Sequence, residues 1–418
     1  MKPTDVLVIG SGMAGLVAAL AAVERGKSVR IAARGAGALA ISGGCIDLLG
    51  YVNGEPVRGN PLKAIPLLPH EHPYRIMGAA AVAEALDFFT RICGGQGLQL
   101  GNTGGENLWL PTILGTFKPS YLCPPNPDRN VLAAAEVLII PRFSWLKDCH
   151  SGMVHKVLQQ QRRLKDKVFA VPELSPPLGR THRSLTPLDM ARSLDRPDGE
   201  GWLREQLVPY VGGYGASRVA VLLPPVLGIT HSAAVRQRLS SALGCPLVEM
   251  AVPPPGVGGL RIRQALMRAL DEAGVLIAEN VHAVEARVEG KRCLSIFCDA
   301  ADKRREMEAD SFIIATGGFF GGGNVASPGM AREMIFGLDL GAPKAVEDWS
   351  VADVFQPQPY SRLGVRVNGR LNPVSPAGEV LWDNVFFAGR SLAGYDFVME
   401  KSGNGVALAS GWFAARQC

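Results

Sequence analysis

The eight cysteines of this 418-residue chain are scattered singly, with no CxxC pair and no metal-ligand spacing. That excludes an iron–sulfur cluster or a structural zinc held by the chain's own thiols. Cys293 and Cys298 come closest, but an odd separation on an apparent strand points them to opposite faces. Reduced thiols in a cytoplasmic setting are the reading this usage favours. Charge is sparse too, at 19% of residues, and the net +5 is interspersed rather than gathered in a patch. Such a balance gives no footing for a nucleic-acid interface. No low-complexity tract, internal repeat, Ser/His/Asp order or nucleophile elbow occurs. A membrane span is also missing. Val6 to Val23, "VLVIGSGMAGLVAALAAV", is uncharged and nearly long enough to cross a bilayer. Its glycines fall at motif spacing, however, Asp5 precedes it, and Glu24 and Arg25 follow without a cleavage site.

What is present is a globular chain, 47% hydrophobic, long enough for two domains. "DVLVIGSGMAGLVAALAAVERGKSVRIAAR" reads as strand, turn, helix, strand. Val6 to Ile9 form an apolar strand of the kind buried on both faces. Gly10-Ser11-Gly12-Met13-Ala14-Gly15 is a GxGxxG turn opening a helix that Gly26 ends, and Val29 to Ala33 make the second strand. Gly10 allows the tight turn, Gly12 the close approach of a phosphate, and Gly15 the packing of helix on strand. The free N–H groups and dipole of the helix start favour an anion there.

One residue type is absent where such a turn usually requires it. The carboxylate that holds an adenosine ribose should fall near Ala33 or Arg34, and "SVRIAARGAGAL" contains neither Asp nor Glu. Arg34 has two readings, a partner for a phosphate or a solvated strand end.

Later stretches complete the pattern. "ALAISGGCIDLLG", with Ser42, Gly43 and Gly44, is a small-residue loop able to approach a planar ring. In "GLRIRQALMRALDEAGVLI", Ile262, Leu266, Ala269 and Leu270 share one helical face. "DSFIIATGGFFGGG" is a buried strand running into glycines at Gly317. Near the end, Val385 to Ala388 form a strand followed by Gly389 and Arg390, and Gly403-Asn404-Gly405-Val406 opens a last helix. A helix start aimed at a flavin would stabilise negative charge on its ring. Between these ends the pattern changes. Proline-rich loops, helices at Ala79 to Cys93 and Val154 to Leu164, and a strand in Arg218 to Ile229 broken at Pro224-Pro225 point to an insertion. The fold expected is α/β: a discontinuous, Rossmann-like flavin domain (1–54 and 251–418) carrying an inserted α+β cap domain (55–250).

With these pieces in hand, the chain resembles the B-type subunits of anaerobic glycerol-3-phosphate dehydrogenases, in the fumarate-reductase-like flavoprotein superfamily. The resemblance spans nearly the whole chain. It rests on "IGSGMAGL", "ALAISGGCIDLL", "VPPPGVGGLRI", "ATGGFFGGGN" and "FFAGRSLAGYDFVMEKSGNGVALASG". It implies FMN in this subunit, a larger FAD-containing subunit that oxidises glycerol 3-phosphate to dihydroxyacetone phosphate, and an iron–sulfur subunit passing electrons to membrane quinone. It also implies a cytoplasmic protein held at the inner face of the membrane only indirectly, through its partners. FMN has no adenosine, which accounts for the missing carboxylate, and Arg390 stands where many FAD relatives carry an acid. FMN is therefore expected over FAD.

The catalytic acid or base is not legible. His182 and Arg183 in "RTHRSL", and His150 with His155, are the candidates on offer. Lys118 and Arg142 are candidates for an anionic substrate, with solvated loop cations as the competing reading. Two other functions fit the same residues: a stand-alone fumarate-reductase-type enzyme, and a non-catalytic flavin electron-transfer module.

Overall fold

The computed structural model describes residues 4–102, 104–123, 130–177, 185–301 and 303–418. Strand β1 (Thr4–Ile9), helix α1 (Met13–Glu24) and strand β2 (Val29–Ala33) fall where the apolar run and the glycine turn place them. β1 and β2 pair in parallel, Val6 beside Val29 and Ile9 beside Ala32. Strands Leu276–Glu279, Lys303–Ile314 and Val385–Phe387 join the same sheet in parallel. Across the sheet the order is Leu276–Glu279, β2, β1, Lys303–Ile314, Val385–Phe387. The chain thus winds from β1 to one edge and later returns to the other side of β1. That reversal makes the carboxyl end of β1 a topological switch point, where open α/β sheets bind ligands.

The central strands are covered on both faces, which is why Val6–Ile9, the end of Lys303–Ile314 and Val385–Phe387 are apolar runs. Leu7, Val8, Phe312, Ile313 and Ile314 are fully buried. α1 is apolar almost all round because it is buried all round, from Met13 to Ala22. The last helix, Gly403–Ala415, lies against it: a Cβ on Gly411 would sit 2.2 Å from the Ala14 carbonyl oxygen. Strand Lys303–Ile314 is long enough to pair in both directions within this seven-stranded sheet. Its first half pairs antiparallel with Arg292–Ala300, which pairs in turn with Val281–Glu289.

Residues 55–250, expected as one insertion, divide by core. The helix Ala79–Gly95 buries Val82, Phe89 and Cys93 in the core that also holds β1 and α1. From about Ala135 onward, two further apolar clusters surround a second sheet. Its strands, in the order Leu247–Glu249, Val219–Leu223, Val137–Ile139, Val168–Ala170, all pair in parallel. Helices Ser151–Gln159, Pro187–Leu194, Pro197–Tyr214 and Ser232–Leu243 lie between the strands in sequence. This unit is therefore α/β, not the α+β arrangement expected. Its two central strands, Val137–Ile139 and Val219–Leu223, are buried throughout, as the middle of a parallel sheet requires. Strand Val219–Leu223 stops before Pro224, as the prolines predicted. The helix expected at Val154 to Leu164 starts earlier, at Ser151, and gives way to a separate short turn at Arg162–Leu164. Among the described residues no helix is long and apolar enough to cross a membrane.

Candidate functional site

The glycine turn sits at the switch point. Gly10 has φ +113°, and a Cβ there would lie 2.3 Å from the Ala315 carbonyl oxygen at the end of the neighbouring strand. Only glycine lets the chain leave β1 at this spot. A Cβ on Gly15 would come 1.9 Å from the Gly10 oxygen, so α1 sits directly on its own turn. Gly12 differs from both. It caps α1 with no side-chain hydrogen bond, and nothing lies within 4 Å of where its Cβ would be. The first turn of α1 thus has no capping side chain and open space beside Gly12, with the positive end of a fully formed helix behind it. Met13 and Ala14 are buried beneath. The loop after β2 closes over the turn: the Ser11 hydroxyl donates to the Gly35 oxygen at 2.8 Å, and a Cβ on Gly37 would stand 2.8 Å from the Gly12 Cα.

Arg34 projects from the end of β2, exposed, with no hydrogen bond or ion pair among the described residues. Its Nη1 would lie 3.8 Å from a Cβ on Gly322, so it faces the glycine-rich loop after strand Lys303–Ile314. In that loop Gly317 has φ +81° and the Thr316 hydroxyl is buried without a partner. Arg390 reaches the same loop: a Cβ on Gly318 would touch its Cγ at 2.9 Å. The Arg390 guanidinium stacks over Phe397 and Tyr395, and its Nη2 donates to the Ser361 oxygen at 2.5 Å. Its Nη1 is buried with no acceptor.

Ser42, Gly43 and Gly44 lie against the start of helix Val257–Glu272, backbone to backbone. A Cβ on Gly43 would meet the Val252 oxygen at 2.5 Å, and one on Gly44 the Gly258 Cα at 2.3 Å. The smallness of "SGG" and of "GVGG" thus serves one crossing of two chain segments. The Ser42 hydroxyl is buried without a partner. The last helix reaches this loop from the other side. The Asn404 side-chain amide donates to the Cys45 oxygen at 2.9 Å, and the Gly405 N–H to the Asp47 oxygen at 3.1 Å. Val406 is fully buried, Gly403 partly, and the Gly389 N–H donates to the Ser410 hydroxyl at 2.8 Å.

The structure thus gathers Gly10 to Gly15, Arg34, Gly317, Gly389 and Arg390 around the carboxyl end of one sheet. Ser42 to Gly44 and Gly403 to Val406 form a second group beside it. Open space at a helix start and three orphaned polar groups (Ser42, Thr316 and Arg390) fit a phosphate-bearing, polar-edged cofactor.

Other candidates lie elsewhere. Lys118 binds Asp47 at 2.5 Å. Burial is the largest single influence and works against its charge, but the charge and hydrogen bond of Asp47, with Cys45 and Cys123 beside it, together hold the ammonium above its ordinary value. Arg142 is half exposed, 3.4 Å from Glu173. His155 packs against Phe169 in the second unit, where burial lowers its pKa, and His150 is exposed at a helix start. His182 and Arg183 lie outside the described residues.

Sequence reasoning missed several groups. His72 is fully buried and accepts the Tyr74 N–H at Nδ1, 3.0 Å, so its Nε2 carries the proton and donates to Glu400, also at 3.0 Å. Glu333 is buried with Oε1 unpartnered, and burial pushes its carboxyl up to about 7. Arg261 forks onto Glu249 at 2.6 and 2.9 Å, both buried. No local pattern announces these groups. Partners as far apart as His72 and Glu400 meet only through the fold.

A family model described as an FAD binding domain matches residues 5–406. The chain is 32% identical to the B-type subunit of anaerobic glycerol-3-phosphate dehydrogenase from Pectobacterium atrosepticum, over 99% of this chain and 98% of that protein. It is 29% identical to a protein of Halobacterium salinarum named as the probable counterpart of that subunit, over 98% of this chain and 96% of that one. A solved 3-ketosteroid-Δ4-(5α)-dehydrogenase of Rhodococcus jostii aligns over the full chain at 13% identity and a TM-score of 0.36. A glycine turn at the switch point, a domain match over most of the chain and full-length relatives lead to one assignment. The chain is a flavoprotein oxidoreductase of the FAD binding domain family and belongs with the B-type subunits of anaerobic glycerol-3-phosphate dehydrogenases.

Proposed function

We propose that this chain is the flavin subunit of an anaerobic glycerol-3-phosphate dehydrogenase, active in complex with an FAD-containing subunit and an iron–sulfur subunit. Glycerol 3-phosphate is oxidised to dihydroxyacetone phosphate, and electrons pass through the iron–sulfur partner to membrane quinone. The observation that carries the reading is end-to-end similarity to proteins named as one subunit of that dehydrogenase. A subunit needs partners, and a chain whose cysteines are scattered singly leaves cluster wiring to another chain. With no membrane-crossing helix among the described residues, contact with the membrane runs through those partners.

When bound, the flavin supplies hydride and electron transfer, and the protein supplies position and charge. Gly12 and the N–H groups of α1 would hold the phosphate, with Arg34 adding charge. The last helix, from Gly403, would present its positive end to the ring. FMN is the flavin we infer. Its support is the absence of any carboxylate at the end of β2 and the presence of Arg34 and Arg390 where FAD relatives favour acids. The name of the matching family favours FAD instead. Acid extraction followed by mass spectrometry separates the two, and recovered FAD would overturn FMN. The complex is tested by mixing purified chain with glycerol 3-phosphate anaerobically, with and without the partner subunits. Flavin bleaching only with partners is expected. Turnover of fumarate by the chain alone would favour the stand-alone reading.

A further inference from the structure

A cavity of about 60 Å³ opens between the two units of the fold. Gly43, Cys45 and Gly258 line it from the flavin-domain side, Arg236 and Glu249 from the inserted unit. On the same scale one water needs roughly 10–15 Å³, so the space suits a head group of a few heavy atoms and is far too small for a flavin ring. Its electrostatics are lopsided. Glu249 is fully engaged: Arg261 forks onto both oxygens, and the Leu227 N–H donates to Oε1 at 2.7 Å. Arg261 is engaged as well, since its Nε donates to the Gly228 oxygen at 2.8 Å. Those two charges cancel. Arg236 is left over, with no ion pair among the described residues and its Nε buried without an acceptor. The lining of the cavity therefore carries one uncompensated positive charge.

Arg236 is half-buried, and its Nε is the atom shut away from water with no acceptor, which is costly unless something supplies one. Arg236 is set on helix Ser232–Leu243, whose Val235 and Leu239 are buried in the second core, so its stem has a fixed origin. Burial also holds the Arg236 guanidinium below its ordinary value, which is the same cost seen from the proton's side. The thiols of Cys45 and Cys123, which share this cavity, are neutral, burial pushing Cys45 up to about 11. They do not offset the charge.

We infer that Arg236 binds the phosphate head of a small phosphate monoester in this cavity, so that the inserted unit contributes the anion-recognising residue. The identity of the ester rests on the function proposed above. Arg236, not Lys118 or Arg142, is then the substrate cation, because Lys118 is occupied by Asp47 and Arg142 by Glu173. The fork of an arginine suits two phosphate oxygens at once, and a lysine replaces it only as a point charge.

The test is calorimetric titration of the purified full-length, flavin-loaded chain with glycerol 3-phosphate, inorganic phosphate, succinate and glycerol. Wild type should bind the phosphate ester and inorganic phosphate, and glycerol should give no heat. Arg236→Gln should weaken both phosphates at least about tenfold at unchanged flavin content and unfolding temperature, and Arg236→Lys should restore part of the loss. Should Gln fail to fold, the Lys variant carries the comparison. Wild-type affinity in the variants, no binding of either phosphate to wild type, or a preference for succinate would each overturn the proposal. Flavin content is read on the same samples. A flavin-bearing chain that ignores phosphate sinks the cavity alone, whereas a chain without flavin sinks the proposed function.

Discussion

Arg34 and Glu333 illustrate two ways in which a single side chain carries an unmet demand. Arg34 has its charge in solvent and no partner among the described residues, so the fold does not depend on it. Arg34→Ala should leave the unfolding temperature of the flavin-free chain unchanged. If the cation meets the flavin phosphate, the same substitution should weaken flavin binding by roughly 10-fold or more, the worth of one hydrogen bond to a charged group. Fluorescence titration of the stripped protein measures it, and an unchanged affinity returns Arg34 to solvent. Glu333 is the opposite case, since its demand lies inside. Burial raises its carboxyl from 4.5 to about 7, although the Phe336 and Ile335 N–H groups pull it down. A carboxyl raised in the fold keeps a proton that the unfolded chain has already lost. Its stabilising contribution is therefore complete below pH 4.5 and drains away as pH rises to about 7. The span corresponds to roughly 3 kcal/mol. Glu333→Gln should flatten this slope: urea unfolding at about pH 5 and about pH 8 should differ less in the variant than in wild type. Equal slopes would show that the carboxyl does not titrate in this window.

At the scale of elements, the site depends on glycines that let backbones touch. α1 and the last helix meet at Ala14 and Gly411, and the "SGG" loop meets helix Val257–Glu272 at Gly44 and Gly258. Neither crossing tolerates a methyl group without moving a whole element. Gly411→Ala would place its Cβ 2.2 Å from the Ala14 oxygen. It should cost about 1–3 kcal/mol and shift the turn that α1 opens. Chemical denaturation reads the first effect and flavin content the second. Loss of stability with flavin retained would separate helix packing from the site. These same crossings account for part of what looked like cofactor chemistry in the sequence. Gly43 and Gly44 stood out as small enough to admit a ring, and the structure finds them filled by the backbone of Val252 and Gly258.

For the whole molecule, the separate apolar clusters of the two units predict separable stability. β1, α1, helix Ala79–Gly95 and the last helix share one core, while the second sheet is enclosed by its own. Differential scanning calorimetry should resolve two transitions. Added flavin should raise only the one belonging to the first core, because a ligand stabilises the unit whose native state it binds. A single transition that moves as a whole would mean the units unfold together.

The sequence by itself determined the central strands of the first sheet, the turn at Gly10 to Gly15, and the positions of the last helix and of strand Val219–Leu223, but not the edge strand Leu276–Glu279. These are written locally, as apolar periodicity, glycine spacing and proline, and local signals need no distant partner to be read. The missing carboxylate after β2 was likewise visible without any structure. Only the tertiary structure decided that residues 79–95 belong to the first core, that the second sheet is parallel, and that Glu249 is spent on Arg261 while Arg236 is left unpaired among the described residues. The reason is distance along the chain. A charge is free or paired according to what folds against it, and those neighbours arrive from elements that no local pattern ties together. Lys118 and Arg236 look alike as letters, and only the arrival of Asp47 beside one of them makes them different.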